Sequence, residues 1–297
     1  MINDVSLIGL GPMGLPIARR ILATGHPLTV WNRTPGKADS LDGANIASTP
    51  REAAARTVLT VLPDLPQVAE VMTGQSGLLA GWREAGIEHP TLVIHGTVSP
   101  AAVVEFGNWM KSEHGVAVVD APMSGGTIGA EQGRLSLMMG GDEALIESLR
   151  PMLSCFATTI ARLGGPGAGA TAKICNQIVV ASTVTALAES VNLARHAGLD
   201  VATLLTVLAG GLAASEVLTQ KGVAYRDEDF SGGGSAKNQL KDLRFALETG
   251  DAATVSMPLT STLTALFEKM ISDGDGDLDH TGIYRTIAAG SQEEGSR

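Results

Sequence analysis

The sequence has few cysteines and few aromatic residues. Its 297 residues include only two cysteines, and aromatic side chains make up 3% of the chain. Two cysteines without metal-ligand spacing exclude a disulfide scaffold, so we expect a reduced, cytoplasmic protein in which Cys155 and Cys175 are small buried residues. A hydrophobic fraction of 44% also excludes a disordered chain. At roughly 150 residues per domain, the length predicts two domains.

Positive charge is also scarce. The chain carries 21 Lys and Arg against 31 Asp and Glu, for a net charge of −10. This balance argues against nucleic acid or an anionic membrane surface as a partner. The longest uncharged apolar run, residues 174–188, is shorter than the ~18 to 20 residues that a membrane helix requires. The N-terminal residues show no secretory signal, so we expect no membrane partner and a cytoplasmic location.

Apolar runs of strand length alternate with helical patterns through the first half of the chain. The runs cover residues 5–8, 28–31, 58–62, 92–94 and 116–119. This alternation predicts a doubly wound, mostly parallel sheet wrapped by helices. Two further strand-like runs, 135–140 and 158–163, suggest a hairpin-like pair around a helical segment. The sequence thus predicts an α/β domain over residues 1–163.

Strand patterns nearly stop after residue 163. A stretch with few helix breakers, residues 170–196, predicts one long helix, and three shorter helical stretches follow at about 200–208, 235–249 and 257–272. The second domain, residues 164–297, is therefore predicted to be all-α. These helices have more apolar surface than a domain of this size buries alone, so we expect a homodimer or a homotetramer.

Glycine is abundant, with 36 residues, and it clusters at points that suggest ligand binding. The first cluster follows a predicted strand and opens a helix, which is the setting of the dinucleotide-binding fingerprint of a Rossmann domain. In that fingerprint one glycine makes a tight turn, the second admits a pyrophosphate and the third lets the helix pack closely. The predicted cofactor-binding run is Gly9-Leu10-Gly11-Pro12-Met13-Gly14.

The second predicted strand ends in Asn32-Arg33-Thr34, where NAD-binding domains usually carry an acidic residue for the ribose hydroxyls. Arg33 offers a planar cation to a 2′-phosphate, Lys37 adds a second charge and Thr34 a hydroxyl donor. We therefore expect NADP(H) to be preferred, with NAD(H) left open. A solvated surface role for Arg33 and Lys37 is the alternative.

Two later glycine clusters, at residues 125–126 and 164–169, accompany residues suited to catalysis. Ser124, Gly125 and Gly126 follow a strand and present backbone N–H groups beside a hydroxyl, which suits a carboxylate. Lys173 lies near the start of an otherwise apolar helix, with Asn176 and Gln177 on the same helical face. A partly desolvated lysine suits proton transfer near neutral pH, although pairing or snorkelling are alternatives.

These motifs, in this order, resemble those of the β-hydroxyacid dehydrogenases, within the 6-phosphogluconate dehydrogenase superfamily. The resemblance covers nearly the whole chain. It implies hydride transfer between NADP(H) and a short hydroxy acid or semialdehyde, namely tartronate semialdehyde, glyoxylate, succinic semialdehyde or 3-hydroxyisobutyrate. Lys173 is then the general acid and base, Ser124, Gly125 and Gly126 hold the substrate carboxylate, and Asn176 orients the reacting oxygen. No metal is required. The remaining implied contacts are Leu62, Pro63 and Thr97 to the cofactor, Gln177 to the substrate, and Lys241 to both.

Some positions depart from the family pattern. His95 and Gly96 stand where members usually have an Asp-x-Ser-Thr run, so that Thr97 alone carries over; for His95 we expect a structural role in its loop. Gln177 replaces a second Asn, as in tartronate semialdehyde reductases, whereas Arg33 resembles glyoxylate and succinic semialdehyde reductases and also imine reductases. An imine reductase on the same scaffold and a cofactor-binding module without turnover are the alternative functions.

Overall fold

The computed structural model describes residues 5–294. Its contacts divide the chain into two compact units, Met1–Lys173 and Ile174–Arg297. The division falls beyond the predicted domain boundary at 163/164, because the first residues of a long helix pack with the sheet unit. The two-domain boundaries themselves stay a prediction.

The first unit contains a nine-stranded sheet in the order β3-β2-β1-β4-β5-β6-β8-β7, with β9 beside β8. Strands β1 to β6 pair in parallel, and every residue of β1, β4 and β5 is buried. Burial of whole strands is typical of a parallel sheet covered on both faces. The strands are β1 (Val5–Ile8), β2 (Leu28–Trp31), β3 (Asn45–Ile46), β4 (Thr57–Thr60), β5 (Thr91–Ile94), β6 (Ala117–Asp120), β7 (Met123–Ser124), β8 (Leu135–Gly140) and β9 (Ala157–Gly164).

Six helices belong to this unit, and two apolar clusters lie among the strands and helices. Their ends carry local signals: Ser99 and Asp142 accept hydrogen bonds from helix-start N–H groups, and Gly115 ends a helix in the left-handed conformation. The helices are α1 (Gly14–Ala23), α2 (Leu65–Met72), α3 (Leu78–Ala85), α4 (Pro100–His114), α5 (Gly126–Gln132) and α6 (Glu143–Leu153).

The pair formed by β8 and β9 differs from the sequence prediction. We expected a hairpin-like pair, but the two strands are parallel. The reason is the connection between them: α6 crosses from the end of β8 to the start of β9, and such a crossover returns the chain in the same direction.

The long helix α7 (Ala168–His196) begins in the first unit and continues into the second. Within residues 5–294, five further α-helices follow, so the prediction of a Rossmann-type domain followed by an all-helical region is confirmed. Two of them, α9 and α12, are not predicted from the sequence. The five are α8 (Val201–Ala209), α9 (Glu216–Asp227), α10 (Ala236–Ala252), α11 (Pro258–Ser272) and α12 (Ile283–Glu294).

The helical unit has its own apolar core. Tyr225 is fully buried, and its hydroxyl donates a hydrogen bond to the Val184 carbonyl at 2.7 Å. Its ring packs near Phe230 and Tyr284 in edge-to-face contacts. Burial, and then the charge of Asp279, raises the pKa of the Tyr225 hydroxyl far above its usual range, so this group serves as a hydrogen-bond donor in the core.

The cysteine prediction is wrong for one of the two residues. Cys155 is buried as expected, but Cys175 is exposed, and neither forms a disulfide. Cys175 lies on α7 four residues before Val179, which is also exposed, so both belong to an outward face of this helix.

Among residues 5–294, α7 alone is long and apolar enough to cross a membrane by length and composition. The uncharged run 174–188 is shorter than a membrane helix, whereas α7 extends at both ends of this run past charged residues. Apolar core helices meet the same criterion, and α7 supplies Ala181, Val184 and Val191 to the core of the helical unit.

Candidate active site

The predicted cofactor segments of the first unit all follow the carboxyl ends of parallel strands. They come after β1, β2, β4 and β5. Strand β1 lies between β2 and β4, so the strand order reverses there, and a crevice at such a switch point is where open α/β sheets bind ligands.

The turn between β1 and α1 has the geometry that a pyrophosphate loop requires. Gly9 has φ +100°, and a Cβ there would lie 2.5 Å from the Val61 carbonyl oxygen. A Cβ at Gly14 would lie 1.9 Å from the Gly9 carbonyl oxygen, whereas one at Gly11 would meet nothing within 4 Å. Gly9 and Gly14 therefore allow the turn and close packing, and Gly11 leaves the backbone open to a ligand. These features fit a dinucleotide; contacts of Leu10, Pro12 and Met13 with it stay predictions.

The residues after β2 divide into one structural group and three exposed side chains. Asn32 accepts a hydrogen bond from the Leu10 N–H at 2.8 Å and donates one to the Thr34 carbonyl at 2.9 Å. Its amide therefore fastens the end of β2 to the glycine turn. Arg33, Thr34 and Lys37 are exposed. A side chain that binds a phosphate arriving from solvent has to be accessible in this way.

The turns after β4 and β5 approach each other closely. A Cβ at Gly96 would lie 2.2 Å from the Leu62 carbonyl oxygen, so glycine is required for this contact. Leu62, the exposed Pro63 and Thr97 thereby belong to neighbouring turns at the same sheet edge. Their contact with the nicotinamide half of a cofactor remains a prediction.

The predicted carboxylate-binding loop follows β6. Ser124 is half-buried and pairs with Ser136 across the sheet. Gly125 has φ +126°, a conformation that favours glycine, and Gly126 is exposed. The loop therefore presents a hydroxyl and a glycine backbone at the edge that also carries the cofactor segments.

Lys173 lies in the second turn of α7 and is only 9% exposed. Lysine is rarely buried to this extent unless it is paired or has a chemical role. The segment that begins α7 contacts a buried carboxylate through one N–H group just before the helix and one in its first turn. Oδ1 of Asp120 accepts from the Gly167 N–H and Oδ2 from the Ala170 N–H, each at 2.8 Å.

A connected polar chain lies in the helical unit. Asn176 donates a hydrogen bond to Gln177 Oε1 at 3.1 Å, and Gln177 donates to Asp242 Oδ2 at 2.7 Å. Lys241 pairs with the other carboxylate oxygen of Asp242 at 3.1 Å, and its Nζ lies 4.9 Å from the centre of the Phe245 ring. Three side chains that the resemblance implies for the substrate are thus joined through one buried carboxylate.

His95 has a structural contact in the first unit. Its ring is buried, and Nδ1 lies 2.7 Å from the Ala121 carbonyl oxygen, so Nδ1 carries the donated hydrogen. Burial lowers the pKa of His95 to about 4, although the hydrogen bond to Ala121 acts in the opposite direction. Within the described part of the chain, Nε2 has no hydrogen-bond partner. A neutral imidazole therefore links the end of β5 to the start of the loop after β6.

Asp120 and Asp242 are residues that the sequence reasoning did not assign to the site. Asp120 lies four residues before Ser124, and Asp242 directly follows Lys241. For Asp120, a carboxylate in an otherwise apolar and glycine-rich segment was the available signal, because such a group must find partners when buried. Across residues 5–294, no cluster of three or more His, Cys, Asp or Glu side chains has an arrangement that could hold a metal ion.

Two family models match nearly the whole chain. The model described as the NAD binding domain of 6-phosphogluconate dehydrogenase matches residues 4–165. The model described as the NAD-binding domain of NADP-dependent 3-hydroxyisobutyrate dehydrogenase matches residues 167–287.

Individual proteins of known name are similar over their full length. The chain is 34% identical to 2-hydroxy-3-oxopropionate reductase of Escherichia coli, over 95% of this chain and 96% of that protein. Mycobacterium tuberculosis 3-hydroxyisobutyrate dehydrogenase with L-serine superposes with a TM-score of 0.82 at 30% identity, covering 97% and 99% of the two chains. Psf3 in complex with NADP+ and 2-OPP gives a TM-score of 0.85 at 25% identity, covering 95% and 98%.

The fold, the glycine turn and these similarities together define a nicotinamide-dependent oxidoreductase that acts on hydroxyl groups. The chain belongs to the β-hydroxyacid dehydrogenase family.

The buried His95 should make stability depend on pH. Its pKa is lowered from 6.5 to about 4, so the unfolded chain takes up a proton on this residue before the folded protein does. The stability from the neutral ring is present above pH 6.5 and is lost as the pH falls towards 4. Between pH 7 and pH 5 this group should cost about 2 kcal/mol of the free energy of unfolding.

Urea unfolding at both pH values tests this expectation. His95→Asn keeps an N–H near the Nδ1 position and removes the titrating ring, so its free energy of unfolding should fall by about 2 kcal/mol less than that of the wild type. An equal fall in the two proteins would contradict the assigned neutral histidine.

Proposed function

We propose that the protein reduces a short aldehyde or keto acid with NADPH, and that Lys173 is its general acid. The observation that carries this proposal is the burial of Lys173 in the second turn of α7, the helix whose start is held by the end of β6. A buried ammonium in a dehydrogenase, close in sequence to residues that are bonded to the sheet edge of the cofactor turns, supports a role in proton transfer.

The chemistry divides between the cofactor and the chain. When bound, the reduced nicotinamide supplies the hydride that forms the new C–H bond. Lys173 gives a proton to the carbonyl oxygen, which becomes the hydroxyl, and takes it back in the reverse direction. Ser124, Gly125 and Gly126 hold the substrate carboxylate through the serine hydroxyl and backbone N–H groups. The proton and hydride together account for the two hydrogens gained.

We propose that Asn176 orients the reacting oxygen. Asn176 lies three residues after Lys173 on the same helix, so the two side chains share a face. The hydrogen bonds from Asn176 to Gln177 and from Gln177 to Asp242 support Asn176 in holding the reacting oxygen. Lys241, which pairs with Asp242, adds a cation for an anionic substrate or cofactor group.

The proposed contacts and the named relatives support a short acid substrate. A carboxylate and an aldehyde carbonyl are common to tartronate semialdehyde, glyoxylate, succinic semialdehyde and the oxidised form of 3-hydroxyisobutyrate. The relative at 34% identity is named for 2-hydroxy-3-oxopropionate, which is tartronate semialdehyde, and this favours the smallest members of the class.

Replacing Lys173 tests the proposed chemistry. Lys173→Ala should reduce turnover of these acids by about 100-fold or more, because general acid catalysis is lost. NADPH affinity, measured by cofactor fluorescence, should stay within about twofold, since the glycine turn is unchanged. Lys111→Ala, which removes an exposed lysine of α4 in the same unit, should keep full turnover.

Full activity of Lys173→Ala on the aldehyde acids would overturn the assignment. Turnover of cyclic imines by the wild type without activity on any aldehyde acid would instead support an imine reductase on this scaffold.

The cofactor preference rests on the residues after β2. No acidic side chain stands there, whereas Arg33 and Lys37 are both exposed and positively charged. We propose that they bind the 2′-phosphate of NADP(H), with Arg33 as the planar, two-pronged donor. The neighbour solved with NADP+ supports this preference.

Arg33→Ala should lower kcat/KM for NADPH by about tenfold or more and change kcat/KM for NADH little, because only NADPH carries the charged group. Arg83→Ala removes an exposed arginine of α3 and serves as the charge-matched control. A parallel loss with both cofactors would show that Arg33 does not read the phosphate.

We also propose a cytoplasmic homodimer or homotetramer. Helix α8 has no buried residue, and Val207 on it is 67% exposed. Leu193 on α7 and Leu212 after α8 are likewise exposed, so large apolar side chains face solvent in three consecutive segments of the helical unit. We propose that a second copy of this chain covers these side chains, because burial of exposed apolar surface favours association.

Light scattering should give at least twice the chain mass of 30.5 kDa. Val207→Glu and Leu193→Glu should shift the protein towards single chains, because a buried unpaired charge is costly. Ile46→Glu, at an exposed apolar residue of β3 in the other unit, should leave the mass unchanged. A wild-type mass of one chain would contradict the proposed assembly.

A further inference from the structure

Asp120 is a buried carboxylate that the proposed chemistry does not use. It ends β6 and is 2% exposed. Burial raises the pKa of its carboxyl, while backbone N–H groups at Gly167, Gly169 and Ala170 act in the opposite direction. Burying a carboxylate is unfavourable unless the carboxylate forms hydrogen bonds.

The carboxylate joins β6 to the start of α7. The first N–H groups of a helix have no partner within the helix, and here Asp120 accepts from Gly167 and Ala170, which lie 47 and 50 residues later. Helix caps normally come from an adjacent residue, as Asp142 does for α6. A cap from a distant strand instead fixes the helix to the sheet.

Two glycines in other segments leave room for this contact. A Cβ at Gly140, the last residue of β8, would lie 2.6 Å from both carboxylate oxygens of Asp120. A Cβ at Gly169 would lie 2.3 Å from the Met138 carbonyl oxygen and 2.7 Å from that of Asp120. The close approach of β6, β8 and α7 therefore depends on small residues at both positions.

Asp120 also directly precedes the proposed carboxylate-binding loop. That loop starts at Ala121, whose carbonyl accepts the hydrogen bond from His95. Lys173 follows Ala170 by three residues, less than one helical turn. Asp120 is therefore connected to both groups. It directly precedes the loop in the backbone, and its two hydrogen bonds join it to the start of the helix that carries Lys173.

We infer that Asp120 is a positioning residue for catalysis: it fixes Lys173 against the loop that holds the substrate carboxylate. The inference rests on the proposed function of Lys173. Asp120 accepts from the Gly167 and Ala170 N–H groups at the start of α7, so these two donors are already engaged. We therefore assign anion binding to the loop of residues 124–126.

Two substitutions of Asp120 test positioning. Asp120→Asn keeps the shape but places an amide group against one of the two N–H donors, and Asp120→Glu keeps the charge but lengthens the side chain. Both should lower kcat by about 10- to 100-fold, because small displacements of a catalytic group are costly. KM for the acid substrate should change less than kcat, and the dissociation constant of NADPH should stay within about twofold.

The solvent deuterium isotope effect on kcat separates positioning from simple loss of folded protein. A displaced Lys173 makes proton transfer slower and more rate-limiting, so the isotope effect should rise in both variants. A smaller fraction of active protein lowers kcat without changing this ratio. Asp142→Asn alters the cap of α6 in the same unit and should leave kcat and the isotope effect at wild-type values.

The inference is overturned if either folded Asp120 variant retains wild-type kcat, or if kcat falls with an unchanged isotope effect. Each variant is read separately, so poor folding of one leaves the other informative. A near-wild-type Asp120→Glu beside a slow Asp120→Asn would show that charge, rather than position, matters. Lys173→Ala in the same assay keeps the two claims apart: its full activity would refute the proposed role of Lys173, whatever the Asp120 variants do.

Discussion

The parallel pairing of neighbouring strands is the constraint on which the candidate site depends. Strands β1, β2, β4, β5 and β6 run in one direction, so their carboxyl ends meet at one edge of the sheet. Main-chain hydrogen bonds thereby place the glycine turn, the cationic segment and the predicted carboxylate-binding loop at the same edge. Side chains then hold the turns in place: Asn32 contacts Leu10, and His95 contacts Ala121. Residues distant in sequence share this edge because of backbone pairing.

The fold could be predicted wherever the signal was local. Strand β2 has its predicted bounds, and α7 begins two residues before its predicted start, because apolar runs and helix breakers are visible in the sequence. The direction of β9 was wrong because it follows from the connection through α6, not from the strand itself. Helix α9 was missed because its buried face, Leu218, Gly222 and Tyr225, includes a glycine, so its apolar periodicity is weak.

The candidate site was predictable in its residue types and less so in its contacts. The order of glycines, Lys173 and Asn176 identified the family, and the steric roles of Gly9 and Gly14 match what the fingerprint requires. The long-range partners of the two buried carboxylates were not predictable. Asp120 accepts from N–H groups 47 and 50 residues away, and Asp242 accepts from the Gln177 amide 65 residues away. A sequence shows that a buried carboxylate needs donors, but only the packed backbone determines which N–H groups reach it.

Solvent exposure separates cations that the sequence alone presents as equivalent. Arg33 and Lys37 are exposed, so they keep their hydration and can meet a phosphate as permanent charges. Lys173 is buried, and the role proposed for it is proton transfer rather than attraction of an anion. Lys241 is held by Asp242, which fixes its position and offsets its charge. In a chain of charge −10, the roles proposed for these cations depend on their local surroundings, because the overall charge repels anionic ligands.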